Sequence, residues 1–159
     1  MNKEDQVVKR FRELFNKLAW LNKLTMEERL KGHKPSEVHC MEYIGNHSDA
    51  NVTRLAESLY MTRSAISKIT KKLLEKGLIE SFQKPENKKE IYFRLTEQGK
   101  AVSQLHDELH RQFRQRDQAV FEQVTEEQFD SMLRFMETYD RHLDQEIKKQ
   151  GLDIQTESI

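Results

Sequence analysis

Apolar positions along this chain recur at helical spacing over most of its length and at strand spacing over one short stretch. Between Lys3 and Lys31 they fall at Val7, Val8, Phe11, Leu14, Phe15, Leu18, Leu21 and Leu24, with Arg10, Arg12, Glu13 and Lys17 among them. This predicts an amphipathic helix with one apolar face. The sequence GHKPSE ends it, because Pro35 disfavours a helical conformation at Lys34 and suits the first turn of the next helix. A short helix is expected over Ser36 to Asn46. After Val124, the sequence EEQFDSMLRFMETYDRHLDQEIKK again has helical spacing, with Phe129, Met132, Leu133, Met136, Tyr139, Leu143 and Ile147 on one face. Thr125 and Gln128 form a capping-box pattern before it.

The middle of the chain has a different organisation. Asn51 and Val52 open a segment whose Leu55, Ala56 and Leu59 share a face, Tyr60 and Met61 make a tight connection, and Thr62 can cap a new helix. That helix is expected to bury Ile66, Ile69 and Leu73 and to stop at Gly77, which suits a left-handed terminating residue. Ala56 is the small residue that two steeply crossing helices need at their closest approach. Many such turns carry glycine where this chain has Tyr60. The pattern is that of a helix-turn-helix.

A basic hairpin follows, ESFQKPENKKEIYFRL. Its return strand alternates, with Ile91, Phe93 and Leu95 expected on the buried side and Glu90, Tyr92 and Arg94 outside. Pro85 and Asn87 are the turn formers at a tip rich in lysine. Thr96, Gln98 and Gly99 then start a helix expected to run to about Glu122. The fold class is therefore mainly α with a small β wing. Residues 35–100 form a winged helix-turn-helix domain, residues 1–34 and 101–150 form a helical dimerisation region, and residues 151–159 are expected to be a frayed tail.

Projection at 3.6 residues per turn puts Ser64, Lys68, Lys71 and Glu75 opposite the Ile66 and Leu73 face, with Ser67 and Lys72 on the flanks. Hydroxyl and ammonium groups on an exposed helix face suit phosphates and base edges. The expected DNA-contacting set is Thr62, Arg63, Ser64, Ser67, Lys68, Lys71 and Lys72 on the helix, with Lys84, Asn87, Lys88 and Lys89 on the wing. Charge supports this placement. Lys plus Arg equals Asp plus Glu at 27 each, yet residues 61–94 hold 9 basic and 4 acidic side chains while residues 101–159 hold 7 and 13. The positive field sits on the motif, and a helix-turn-helix with its wing in this order predicts double-stranded DNA as the partner.

The remaining composition narrows the class. Cys40 is the only cysteine, so no internal disulfide can form and a reducing, cytoplasmic location is expected. The N-terminal sequence lacks the apolar core of a signal peptide, and no apolar run is long enough for a membrane span. No glycine-rich phosphate loop, HExxH zinc motif or nucleophile triad is legible, so an enzyme is not expected. Phe11, Leu14, Phe15 and Leu18 on the first helix, with Met132, Leu133, Met136, Tyr139 and Leu143 on the last, carry more apolar surface than a small winged helix can cover. A second copy of the chain is the expected partner for it.

With LLEKGLI, the basic wing and LTEQGK in this order, the chain resembles the MarR family of bacterial transcriptional regulators over nearly its whole length. The resemblance implies a homodimer on a pseudo-palindromic operator, usually a repressor released by a small effector. It further implies recognition helices in successive major grooves and wings reaching the flanking minor grooves. Where many members have an Asp-Arg-Arg type wing tip, this chain has Asn87, Lys88 and Lys89 followed by Glu90. Lysine is more strongly hydrated and less planar than arginine, which favours phosphate contact over narrow minor-groove readout.

Three groups of side chains could report an effector. His106 and His110 lie one helical turn apart, an acceptable pair of ligands for zinc, nickel or copper, although two ligands are too few. The resemblance supplies His39 as a third, matching a histidine that some zinc-sensing relatives use; Glu27 or Glu28, near the end of the first helix, could complete the set. Surface or hydrogen-bonded histidines explain the same residues. Cys40 is readable as a redox sensor or, more simply, as a buried apolar cysteine. Trp20, Phe11, Phe15 and Met41 fit either an aromatic effector pocket or ordinary core. A metal-responsive regulator and a winged helix used only for protein interaction are the alternative readings.

Overall fold

A computed structural model of the chain describes residues 1–150; the expected tail at 151–159 lies outside the described residues. The elements are α1 (Lys3–Arg29), α2 (Pro35–Asn46), α3 (Val52–Leu59), α4 (Arg63–Glu75), β1 (Ile79–Lys84), β2 (Asn87–Leu95), α5 (Glu97–Phe121) and α6 (Glu126–Lys149). Helix starts follow local chemistry. Asn2, Asn51, Thr62, Thr96 and Thr125 each accept a backbone N–H of the first turn, satisfying a donor that the helix itself leaves free. Thr125 and Gln128 complete the predicted capping box, with bonds of 3.2 and 2.9 Å. Pro35 occupies the first turn of α2.

The core lies among α2, α3, α4, α5 and the wing. Cys40, Met41, Leu55, Ala56, Ile66, Leu73 and Leu109 are fully excluded from solvent, and Met26, Leu59, Met61 and Ile69 pack against them half-buried. Ala56 of α3 is fully buried. Thr70 is also buried, because its hydroxyl donates to the Ser67 carbonyl at 3.1 Å and so needs no water.

β1 and β2 pair antiparallel from Ile79 with Leu95 to Phe82 with Tyr92, and Lys84 closes on Asn87. The wing is tied to the domain by the Phe93 N–H, which donates to the Ala50 carbonyl at 3.0 Å. One expectation for β2 is corrected. Ile91 is exposed while Tyr92 is buried. The register places Leu95, Phe93 and Ile91 on one face as predicted, but Ile91 projects past the core towards the tip. Tyr92, on the other face, is covered by its cross-strand neighbour Phe82 at 5.8 Å between ring centroids and by Lys84 above it.

The end of α4 and the start of α5 are fixed against one another. Gly77 takes a φ of 71°, the left-handed conformation in which glycine is unstrained. The Thr96 hydroxyl donates to the Gly77 carbonyl at 2.6 Å and accepts from the Gly99 N–H at 3.1 Å. A Cβ on Gly99 would lie 1.9 Å from the Leu78 carbonyl oxygen. The sequence runs LLEKGLI and LTEQGK are thus two halves of one joint.

α1 and α6 contain no buried residue. Their apolar faces meet in part, with Phe11 stacked on Phe135 at 6.1 Å. Phe15, Leu14, Leu133, Met136 and Leu143 nevertheless remain 46–74% exposed.

Candidate nucleic-acid interface and histidine cavity

The buried face of α4, built on Ile66, Thr70 and Leu73, fixes what the opposite face presents. Arg63, Ser64, Ser67, Lys68, Lys71 and Lys72 are all exposed. Thr62 differs from them, because its hydroxyl accepts from the Ala65 N–H at 3.1 Å and caps the helix. The predicted surface is therefore assembled as a continuous strip of hydroxyls and cations, and Thr62 serves its geometry.

The wing divides its predicted residues between two tasks. Lys88 and Lys89 are exposed at the tip. The Asn87 side-chain oxygen accepts from the Lys89 N–H at 3.2 Å, and the Gln83 side chain donates to the Lys88 carbonyl at 3.0 Å, so both hold the turn. Lys84 lies over the Tyr92 ring at 4.4 Å, and Arg94 over Phe82 at 4.8 Å while bonded to Glu80 at 2.6 Å. Such cation–aromatic contacts stiffen the ribbon behind its tip.

A second feature lies where α1, α2 and α5 meet. A cavity of about 360 Å³ is lined by apolar residues including Met26, Leu30 and Val38, and by His33, His39, His106, His110 and Glu27. The His106 and His110 Nε2 atoms are 3.1 Å apart, and the His39 and His106 ring centroids 6.3 Å apart. Burial holds the His106 imidazolium below its ordinary range; His110 and His39 add to that, while Glu42 and Asp107 oppose it. The Nδ1 atoms of His33 and His106 are buried without a hydrogen-bond partner. His39, His106 and His110 therefore share one cavity, but among the described residues no group of three or more His, Cys, Asp or Glu is arranged to hold a metal ion. Of the two glutamates, Glu27 borders the cavity and pairs with Lys23 at 3.7 Å.

The four residues of the aromatic pocket reading are not brought together in the single chain. Met41 is in the core, Trp20 and Phe15 are 66% and 74% exposed, and Phe11 faces α6. Cys40 has no exposure, and burial, followed by the neighbouring Glu37 charge, pushes its thiol up to about 12. That environment suppresses the thiolate on which redox chemistry depends.

Residues 34–91, which hold the helix-turn-helix and most of the wing, match the model of the MarR family. The chain belongs to the MarR family. Among curated relatives it is similar to the HTH-type transcriptional regulator YhjH of Bacillus subtilis, 38% identical over 109 residues. That match covers 68% of this chain and 62% of YhjH. Among solved structures it is similar to Streptococcus pneumoniae FabT in complex with DNA, with a TM-score of 0.77 at 18% identity over 90% of this chain and 99% of FabT. It is also similar to Staphylococcus aureus MarR in complex with salicylate and kanamycin, with a TM-score of 0.72 at 16% identity over 90% of this chain and 93% of that one. Among the described residues, no helix is long and apolar enough to cross a membrane.

Within this MarR-type fold, sequence reasoning missed two side chains that position the strip. Glu37 in α2 is 2% exposed, and the Lys76 ammonium, at the C-cap of α4, donates to it at 2.7 Å and to the Gly32 carbonyl at 2.8 Å. The pair is separated by 39 residues and has no local signature. His33 was missed as well, since no pattern linked it to the histidines of α5.

Proposed function

We propose that the protein is a homodimeric transcriptional regulator that binds double-stranded DNA through α4 and the wing, and that it acts as a repressor released by a small effector. The observation that carries this reading is the exposed strip from Arg63 to Lys72 on a capped, internally anchored helix. Hydroxyls and cations at the N-terminal half of a second helix are what helix-turn-helix docking brings to base edges and phosphates. The DNA in the FabT structure and the salicylate in the S. aureus MarR structure support it by likeness of fold. Exposed apolar side chains on α1 and α6 supply a surface for a second copy, which would present two such strips to successive half-sites.

Binding to the intergenic DNA beside the gene, followed by gel shift across a salt series, tests the reading. Affinity is expected to fall steeply with salt, as cations displace condensed counterions. Lys68→Ala is expected to weaken specific binding more than Lys148→Ala. A flat salt response, or equal effects of the two substitutions, would refute the assignment.

The cavity favours a second reading, a regulator whose effector is zinc. Two imidazole nitrogens on one tetrahedral zinc stand about 3.3 Å apart, close to the 3.1 Å between His106 and His110. The pair fits; a third ligand from His39, His33 or Glu27 would have to turn inward to join it. Protein purified without a His tag separates the readings. If added zinc changes neither the melting temperature nor DNA affinity, the metal reading falls and an organic effector remains.

A further inference from the structure

Tyr60 is held in a left-handed turn while its side chain stays largely exposed. Its backbone is left-handed, with φ 52° and ψ 49°, and it is the only residue besides glycine with positive φ among the described residues. That conformation is strained for a residue with a Cβ and free of strain for glycine. The turn is closed by the Tyr60 and Met61 N–H groups, which both donate to the Ala56 carbonyl. Both are backbone bonds that glycine would make equally well. Meanwhile the side chain is 64% exposed, so packing does not offset the strain. Strained residues persist where something outside the local fold depends on them.

Position says what that something is. In helix-turn-helix docking the first helix crosses the phosphate backbone and the N-terminal residues of the second reach base edges. The turn that joins α3 to α4 therefore lies at the rim of the groove. Tyr60 stands in that turn, just before the Thr62 cap and the exposed Arg63 and Ser64. We infer that Tyr60 is a DNA contact, its phenolic O–H donating to a phosphate oxygen at the groove rim and fixing the depth at which α4 docks. Tyrosine hydroxyls are among the donors that make such sequence-independent contacts. The inference rests on the DNA-binding reading above and adds a residue that carries no charge.

Fluorescence anisotropy at low salt with a labelled duplex pool of random sequence tests it, because a phosphate contact acts on every sequence. Wild type, Tyr60→Phe, Tyr60→Gly and Lys68→Ala are compared over a salt series, each with its melting temperature. Tyr60→Phe is expected to bind about tenfold more weakly, the scale of a lost hydrogen bond to a charged group, with an unchanged salt slope because no cation is removed. Tyr60→Gly is expected to bind as weakly yet melt higher, since it relieves the strained turn. Lys68→Ala is expected to lower both affinity and slope. Wild-type affinity in both Tyr60 variants beside a weakened Lys68→Ala overturns the inference alone. So does a Tyr60→Gly protein that melts lower, because the ring would then serve the fold. A wild-type protein that ignores the duplex overturns the DNA-binding reading and this inference with it.

Discussion

Gly99 shows how much of the domain can hang on one missing methyl group. A Cβ there would stand 1.9 Å from the Leu78 carbonyl oxygen, and that backbone cannot retreat because the Thr96 N–H donates to the same carbonyl at 3.1 Å. Gly99→Ala is therefore expected to cost about 2–3 kcal/mol, the upper part of the range for forced overpacking, measured as a lower urea midpoint with unchanged m-value. His106 gives a second prediction. Its folded-state pKa lies below the ordinary 6.5, first through burial and then through His110, so the unfolded chain takes up a proton at pH values where the folded one does not. Its contribution to stability is complete above 6.5 and is lost as pH falls from there towards the folded value. Thermal melts in chelator between about pH 7.5 and 5.5 should show a decline that is shallower in His106→Leu. At this scale the caps at Thr62, Thr96 and Thr125 and the turn at Gly77 were legible, because each follows from a residue and its near neighbours. The exposure of Ile91 was not, since alternation assigns sides to a strand but does not say where the core beneath it ends.

Between elements, the strip on α4 owes its position to contacts that no periodicity encodes. Lys76 holds the end of α4 to α2 through Glu37 and to the α1–α2 connection through Gly32. A carboxylate left unpaired in that buried place is costly, whereas an apolar pair of similar volume is tolerated. Lys76→Met is expected to destabilise by about 3 kcal/mol, the lower end for breaking such a pair because the lysine side is partly open to water. Glu37→Met combined with Lys76→Met is expected to recover most of that loss. Equal stability of the single and double variants in a denaturant double-mutant cycle would show that the ion pair is not what holds the helices. The helices and the wing were readable from apolar spacing because each element repeats a local period. Their mutual anchoring was not, because partners 39 residues apart come together only once the chain has folded.

At the level of the whole molecule, the apolar surface on α1 and α6 demands an account. Leu14, Phe15, Leu133, Met136 and Leu143 remain 46–74% exposed in the single chain, and soluble monomers rarely leave contiguous apolar faces of this kind uncovered. Sequence periodicity identified these faces but could not say how much of each the two helices hide from one another. The Phe11–Phe135 stack uses only part of them. If the remainder is the seam of a twofold dimer, a charge introduced at its centre meets its own symmetry copy as well as a desolvated neighbour, which doubles the penalty. Phe15→Glu with Leu133→Glu should therefore sediment as a monomer at micromolar concentration where the wild type sediments as a dimer. Its circular dichroism should retain the helical content of the winged domain, whose core lies elsewhere. DNA affinity should fall by far more than Lys68→Ala achieves, because losing one protomer removes an entire recognition helix and wing from the complex. A double variant that stays dimeric would place the seam on another face, and a monomeric variant that keeps full affinity would mean that one strip suffices for binding.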